Sequence, residues 1–411
     1  MTATINSAST AAALRIRYKD GVEKEDFSKA PTHFKMASRE TDFDGESYVF
    51  ALNTDGTQGL GTDIAAAIGN LQQSPNARFA VTRVRYYGLC RVTGEAMKAA
   101  KGAGAMLNLW EHEVERTTYS FNREMAIQWN GNGDGVRGTL AASSSGVASA
   151  TVTLADDGAI NSFSVGMRVQ GSATAGSALL SPNAVTISGI DRVARTLTTT
   201  GGNWSTQIPG LADGHKLYRY GDGQDAGTKK CLSGVGAWLD TAALFGLTRT
   251  PDPIKYGGQQ VSVSGVPMEE VIPELASKLV IQGAMPPDTA FIHPDEGNRL
   301  RKALIARSGY VRGEAKSVVA GVSFKGFEID GPEGPITVLE DINRKKATAL
   351  LTRKSTWKMK SLGSCPQILD FDKQEMLRTA SDDCYELRMG QYGNAACMRP
   401  VDSITASAVG A

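Results

Sequence analysis

The residues of this chain that could do chemistry are four histidines, five cysteines and two glycine-rich runs. His112 opens the run HEVER, which starts like a zinc-binding helix, where two histidines four apart share one face. The position four residues on is Arg116, so only one ligand is present, and His112 reads as an exposed or helix-packing histidine. His33, His215 and His293 lie far from it and from one another, which speaks against a histidine-rich metal centre. The cysteines, Cys90, Cys231, Cys365, Cys384 and Cys397, are odd in number, widely spaced and free of any Cys-x-x-Cys pair. That pattern excludes a secreted disulfide framework and fits reduced thiols in a cytosolic setting. A hydrolase using a nucleophile such as Cys384 would need a base beside it, and no spacing supplies one. The simpler role is that of a small buried hydrophobe. GNGDGVRG, from Gly131 to Gly138, has no strand before it and no Gly-Lys-Ser/Thr after it, so it is neither a phosphate loop nor a dinucleotide fingerprint. NTDGTQGLGTD, from Asn53 to Asp63, lacks the acidic alternation and the closing glutamate of a calcium loop. With no Gly-x-Ser-x-Gly elbow either, no catalytic, cofactor or metal residues are assigned, and the chain is expected not to be an enzyme.

The totals point the same way. The chain carries 44 basic and 43 acidic side chains, a formal net charge of +1. A protein that grips nucleic acid by its phosphates shows a basic excess, and none is visible. With 411 residues, 41% hydrophobic and 21% charged, two or three globular domains are expected. The first residues lack the basic start and apolar core of a signal peptide, and no apolar run approaches the ~20 residues that span a bilayer. The Asn-Trp-Ser sequon at Asn203 therefore carries no consequence, and no membrane partner is expected.

The elements that must position these residues follow from periodicity. Residues 1–45 are polar, without a sustained period, and read as a floppy terminus or as an arm that gains order on a neighbour. Ser47 to Leu52 predicts one strand. Arg78 to Thr93 predicts a longer one, with Ala80, Thr82, Val84, Tyr86, Cys90 and Val92 on one face and Arg83, Arg85 and Arg91 on the other. The two strands and the glycine-rich stretch between them make a long two-stranded projection, marginal alone in water and in want of a partner surface. Met106, Leu109, Trp110, Glu113, Thr117, Phe121 and Met125 recur at three- and four-residue steps and predict a long helix that Asn130 to Gly135 stops. Residues 136–225 turn to short alternating runs rich in Thr, Val, Ser and Gly, which predict an all-β insertion. Beyond them, helices and strands alternate. Pro273 should kink or delay a helix that ends near Gly283, and Asp295 is a plausible N-cap after the buried strand of PDTAFIHP. The last stretch, DDCYELRMGQYGNAACMRPVDSITA, predicts a strand, a glycine turn, and a second strand ended near Pro400.

This order of parts resembles the major capsid proteins of tailed bacteriophages, with the Hong Kong 97-type capsid fold. The resemblance covers nearly the whole chain. It is most specific at RVRYYGLCRVTGEAM, at WNGNGDG, at PDTAFIHP and at the C-terminal stretch; no single motif is diagnostic, and the ordered set carries it. The resemblance implies an α+β fold. Its parts would be an N-terminal arm at 1–45, an extended hairpin loop at 46–77 lying on the adjacent subunit, and a peripheral domain with the spine helix at 78–135. The β-rich insertion at 136–225 would sit outside. An axial domain at 226–355, a peripheral return at 356–384 and C-terminal strands of the axial domain at 385–411 would follow.

It further implies self-assembly into pentamers and hexamers of an icosahedral head around double-stranded DNA, touched non-specifically. Partners would be other copies of the chain, a separate scaffold protein, a portal and a decoration protein. The site of action would be the virion capsid, with assembly in the host bacterial cytoplasm. Because only about 45 residues precede the hairpin, a separate scaffold is expected rather than a fused one, with a short cleaved leader as the other arrangement. Arg83, Arg85 and Arg91, with Tyr48 and Phe50, are the candidate inter-subunit contacts; a solvated edge face is the plain alternative for the arginines. The chain departs from some members in having no lysine from Thr41 to Met97, so a lysine–asparagine crosslink through this loop is not expected. An encapsulin-like compartment shell and a cysteine hydrolase are the alternative readings.

Overall fold

The computed structural model describes residues 36–53, 55–99, 109–142, 146–223, 229–307, 327–364, 366–369 and 377–409. Its organising element is one strand near the end of the chain, Cys384–Cys397. Along one edge it pairs antiparallel with Val84–Thr93, residue for residue from Cys384↔Thr93 to Gly393↔Val84. Along the other it pairs with Trp357–Ser361, Gln367–Ile368 and Leu377–Arg378. Ser38–Glu40 closes that sheet as a parallel neighbour of Trp357–Ser361.

The predicted glycine turn in this stretch is not there. Gly390 and Gly393 lie within the strand because other groups come too close for a side chain. A Cβ on Gly393 would stand 2.3 Å from the Lys360 carbonyl oxygen, so glycine serves close approach of backbones here rather than a bend. The strand also belongs to a different sheet from the one expected. Only Ser403–Ser407 enters a second sheet, with Gln259–Ser262 and Thr348–Thr352 as its neighbours, after a short 3-10 turn at Pro400–Asp402. The axial assignment of 385–411 is corrected accordingly.

A helix of 21 residues, Leu109–Trp129, packs across that sheet. Its last turns bury Phe121, Met125, Ala126 and Trp129, and Gly88 on the sheet makes room for it, with a would-be Cβ 3.1 Å from Phe121. Met106 lies outside the described residues. The second sheet runs Gln259–Ser262, Ser403–Ser407, Thr348–Thr352, Thr289–Ile292, Gly334–Glu340 and Phe327–Gly331, in that spatial order. The helix Met268–Ile281 covers it with Val271, Ile272, Leu275 and Leu279. Pro273 sits early in that helix without ending it. The next helix, Pro294–Arg307, starts one residue before Asp295, so the cap is His293, whose Nδ1 accepts from the Asp295 N–H at 3.2 Å.

Residues between Val136 and Arg219 form a six-stranded sheet of their own, with Val136–Thr139 and Lys216–Arg219 side by side where the chain leaves and returns. Its core, built on Phe163, Trp204, Leu217 and neighbours, is a separate apolar cluster from those of the body.

The hairpin pairs Ser47–Asn53 with Asn76–Thr82. The single strand expected from Arg78 to Thr93 is two strands, Asn76–Thr82 and Val84–Thr93, broken at Arg83. The break switches the buried parity. Ala77, Phe79 and Val81 are buried before it, and Cys90 and Val92 after it, while Thr82 is exposed. The cause is that the two strands serve different sheets. Met36 and Phe43 are also buried in the body, so residues 36–43 are body rather than arm; residues 1–35 lie outside the described set.

Candidate inter-subunit surface

The hairpin is fixed at its base and bare at its end. Phe50 and Phe79 stack at 5.5 Å, and both rings meet Trp238, at 6.3 Å and 5.0 Å. Trp238 ends the short helix Val235–Trp238, and its indole N–H donates to the Ala395 carbonyl at 3.0 Å, which ties the hairpin base to the closing strand. Arg249, fully buried, caps that same helix end by donating to the carbonyls of Trp238 at 2.8 Å and Ala237 at 3.0 Å. Burial pulls its guanidinium down to about 10.

Beyond the base, the hairpin carries the helix Ile64–Gly69, whose N-terminus is capped by Asp63 Oδ1 accepting from the Ala66 N–H at 2.6 Å. The helix and its flanks leave Leu60 77%, Ile64 80%, Ile68 67% and Leu71 69% exposed. Four large aliphatics clustered on one projection form a patch that a monomer gains nothing by presenting to water. From Ser47 to Thr82 the charged residues are Asp55, Asp63 and Arg78, so the hairpin beyond its paired strands is apolar with two acidic residues.

The predicted contact residues divide. Arg85 is exposed opposite Tyr392 and shares a sheet face with Tyr87 and Leu89, 56% and 53% exposed. Arg91 is engaged within the subunit, with Nη2 2.6 Å from Glu386 Oε2, and Arg388 holds the other oxygen of that carboxylate at 2.6 Å. Arg83 stands at the strand break, its guanidinium 5.5 Å from the ring of Phe43, and so does not share their face. Tyr48 is half-buried, 4.1 Å from Lys360 Nζ, and Phe50 is 8% exposed. Both aromatic rings therefore anchor the hairpin inside the subunit.

Two charged clusters escaped sequence reasoning because their members come from distant segments. Lys360, 2% exposed on its strand, binds Glu40 and Asp42, the latter at 2.8 Å, and so pins the residues before the hairpin to the sheet. At the root of the insertion, Arg137 bonds Glu124 of the long helix and Asp222 at 3.1 Å, while Arg219 reaches Glu124 at 3.0 Å and Tyr86 approaches it at 3.4 Å. Burial pulls Glu124 upward, but Arg137 outweighs it and holds the carboxyl below its ordinary range. For Asp222 burial wins, and its carboxyl is pushed up. A glutamate on the buried face of a helix, Glu124 beside Met125, was the one sequence signal of this cluster.

Four of the five thiols lie among the described residues. Cys90, Cys231, Cys384 and Cys397 are free and buried. Burial raises the thiols of Cys90 and Cys231 and pushes Cys397 up to about 12, the reverse of what a nucleophile needs. Cys384 and Cys397 end the same 14-residue strand, about 43 Å apart at the usual strand rise, so they cannot pair within one chain. Cys365 lies outside the described residues. Among the described residues, no group of three His, Cys, Asp or Glu side chains could hold a metal ion. No helix there is long and apolar enough to cross a membrane.

No protein-family model matches the chain, and no curated protein matches it. Solved structures do. A chain of the cyanophage A-1(L) capsid asymmetric unit matches over 98% of this chain and 99% of its own length, with 8% identity and a TM-score of 0.55. A chain of the capsid of the native GTA particle matches over 98% and 99%, with 9% identity and a TM-score of 0.49. One from Mycobacterium phage Ogopogo matches over the same shares, with 8% identity and a TM-score of 0.49. The first likeness runs end to end and shows that this chain has a phage capsid-protein fold, α+β with an all-β insertion.

Proposed function

We propose that this chain is the major shell protein of a tailed-bacteriophage head, assembling from pentamers and hexamers of itself into an icosahedral capsid around packaged double-stranded DNA. The observation that carries the reading is the match to a capsid chain over 98% of this chain and 99% of that one. The hairpin supports it independently. Its base is locked to the subunit by Trp238, and its far end exposes four aliphatics that only another surface can bury.

The role is structural rather than catalytic, and the burial of Cys384, the nucleophile of the hydrolase reading, speaks against that reading. The body would act in the virion capsid after assembly in the host cytoplasm. A scaffold protein, a portal and a decoration protein would be its partners, with packaged DNA touched non-specifically. Near-neutral charge suits a shell of many like copies, which would otherwise repel itself. Of the expected contact residues, Arg85 would face a neighbouring copy, beside the exposed Tyr87 and Leu89.

Electron microscopy of the full chain, expressed alone and with the scaffold gene from its own genome, tests the proposal. Rings, pentamers, hexamers or closed shells are the expected products. A monodisperse monomer under both conditions overturns it.

A further inference from the structure

The insertion meets the body through polar groups rather than a shared core. Its apolar cluster is separate from the three clusters of the body. What holds it falls into two sets, one buried and one exposed. At the root, Arg137, Glu124 and Asp222 form an ion cluster with side-chain exposures of 2%, 8% and 11%, and Arg137 also donates to the Ser162 carbonyl at 3.4 Å. Close by, the loop at Asp156 and Asp157, which follows Ala155 bonded to the Thr139 carbonyl at 2.9 Å, faces Lys345 and Lys346. Lys345 Nζ lies 3.4 Å from Asp156, and Lys346 Nζ lies 3.6 Å from Asp157 and 2.8 Å from Asp295. Arg195 of the insertion approaches Asp157 at 2.6 Å. Arg123 of the long helix adds a bond to Ser164 at 3.1 Å. Side-chain exposures in the lysine–aspartate set run from 28% to 71%.

The two sets answer salt differently. Exposed pairs are screened once the Debye length shrinks from about 10 Å at 0.1 M salt to about 3 Å at 1 M, whereas a buried pair is screened far less. Covalently, the insertion is joined to the body through two crossing segments, on which Gly135 and Gly221 hold positive φ, at +80° and +90°.

We propose that the insertion is a latched strut: Arg137 is its pivot, Lys345 and Lys346 on Asp156 and Asp157 are its clasp, and screening or reversing the clasp charges lets it swing off the axial domain while the pivot holds. The inference concerns the subunit itself and does not rest on the shell reading.

Spin-label distances in the full chain test it. One pair, Val193→Cys with Lys302→Cys, spans insertion and axial helix; a second, Val193→Cys with Val165→Cys, lies within the insertion, both in a Cys365→Ser background. Val193, Val165 and Lys302 are exposed. The expected result is a narrow spanning distance at about 0.05 M salt that broadens and lengthens at about 1 M, with the inner distance constant. Lys345→Glu with Lys346→Glu should open the clasp at low salt. Adding Asp156→Lys and Asp157→Lys should restore the narrow distance. A spanning distance that ignores both salt and charge reversal overturns the proposal. So does a change in the inner distance alongside it, which means unfolding rather than swinging.

Discussion

The ring of Phe79 sits 5.0 Å from the indole of Trp238, centroid to centroid, at 59°. With Phe50 on the same indole, this contact helps convert a hairpin that is marginal in isolation into part of the subunit. Phe79 comes from the second hairpin strand and Trp238 from the first helix after the insertion, and both are fully buried. The rigid base is what lets the far end project.

Phe79→Ala should therefore cost about 3–5 kcal/mol, as for other large buried aromatics cut to alanine. Denaturant unfolding of the unassembled subunit measures it. A loss below about 1 kcal/mol would mean the hairpin does not depend on Trp238.

His293 predicts a pH response. Burial lowers its imidazole below the ordinary 6.5, against the pull of Asp295, 3.6 Å away. The neutral ring caps the helix Pro294–Arg307 through Nδ1. A depressed folded value means the unfolded chain takes the proton first. The contribution is complete above pH 6.5 and is lost as pH falls through the folded value. Melting curves taken from pH 7.5 downward should show this loss, and His293→Asn, which keeps a capping acceptor, should flatten it. An unchanged pH slope in that variant assigns the loss elsewhere.

Much of this was legible in the sequence, and the failures share a cause. The long helix was visible because mostly apolar residues recur at three- and four-residue steps along one face. The insertion was visible because its composition changes abruptly at residue 136. The break at Arg83 was not, since two strands that serve different sheets still read as one β-rich run. Gly390 and Gly393 misled for a related reason. A glycine that spares a clash with Lys360 across a sheet looks, in sequence, like a glycine that turns the chain. The ion cluster of Glu124, Arg137 and Asp222 left only a glutamate on a buried helix face to find it by, because pairing across the root of an insertion leaves no local pattern of partners.

Thiol labelling should be slow in the native protein. Cys90, Cys231, Cys384 and Cys397 are buried, and Cys397 is pushed up to about 12. In a Cys365→Ser background, a thiol probe at neutral pH should react with these four only after denaturant is added, and reducing and non-reducing gels should match. One cysteine labelling within seconds in the folded protein would revive a nucleophilic role.

The lysine-free hairpin carries a covalent prediction. With no lysine from Thr41 to Met97, purified shells boiled in detergent should run as the 43.6 kDa chain. A ladder of multimers whose crosslinked peptides map to the hairpin would contradict it.

The hairpin end separates folding from assembly. Ile64 and Ile68 are 80% and 67% exposed in the subunit, so Ile64→Asp and Ile68→Asp should move subunit stability by no more than about 0.5 kcal/mol. Each aliphatic covered by a second copy would contribute about 1.5–3 kcal/mol to that contact, and a buried aspartate would add the cost of desolvating its charge. Since every copy in a shell carries the same change, the losses multiply around each ring. The paired variant should keep the wild-type melting curve and form no shells by sedimentation. Two other results bear on the assignment: shells at wild-type yield would show that the hairpin end stays in water, and a lowered melting curve would show that it packs within its own subunit.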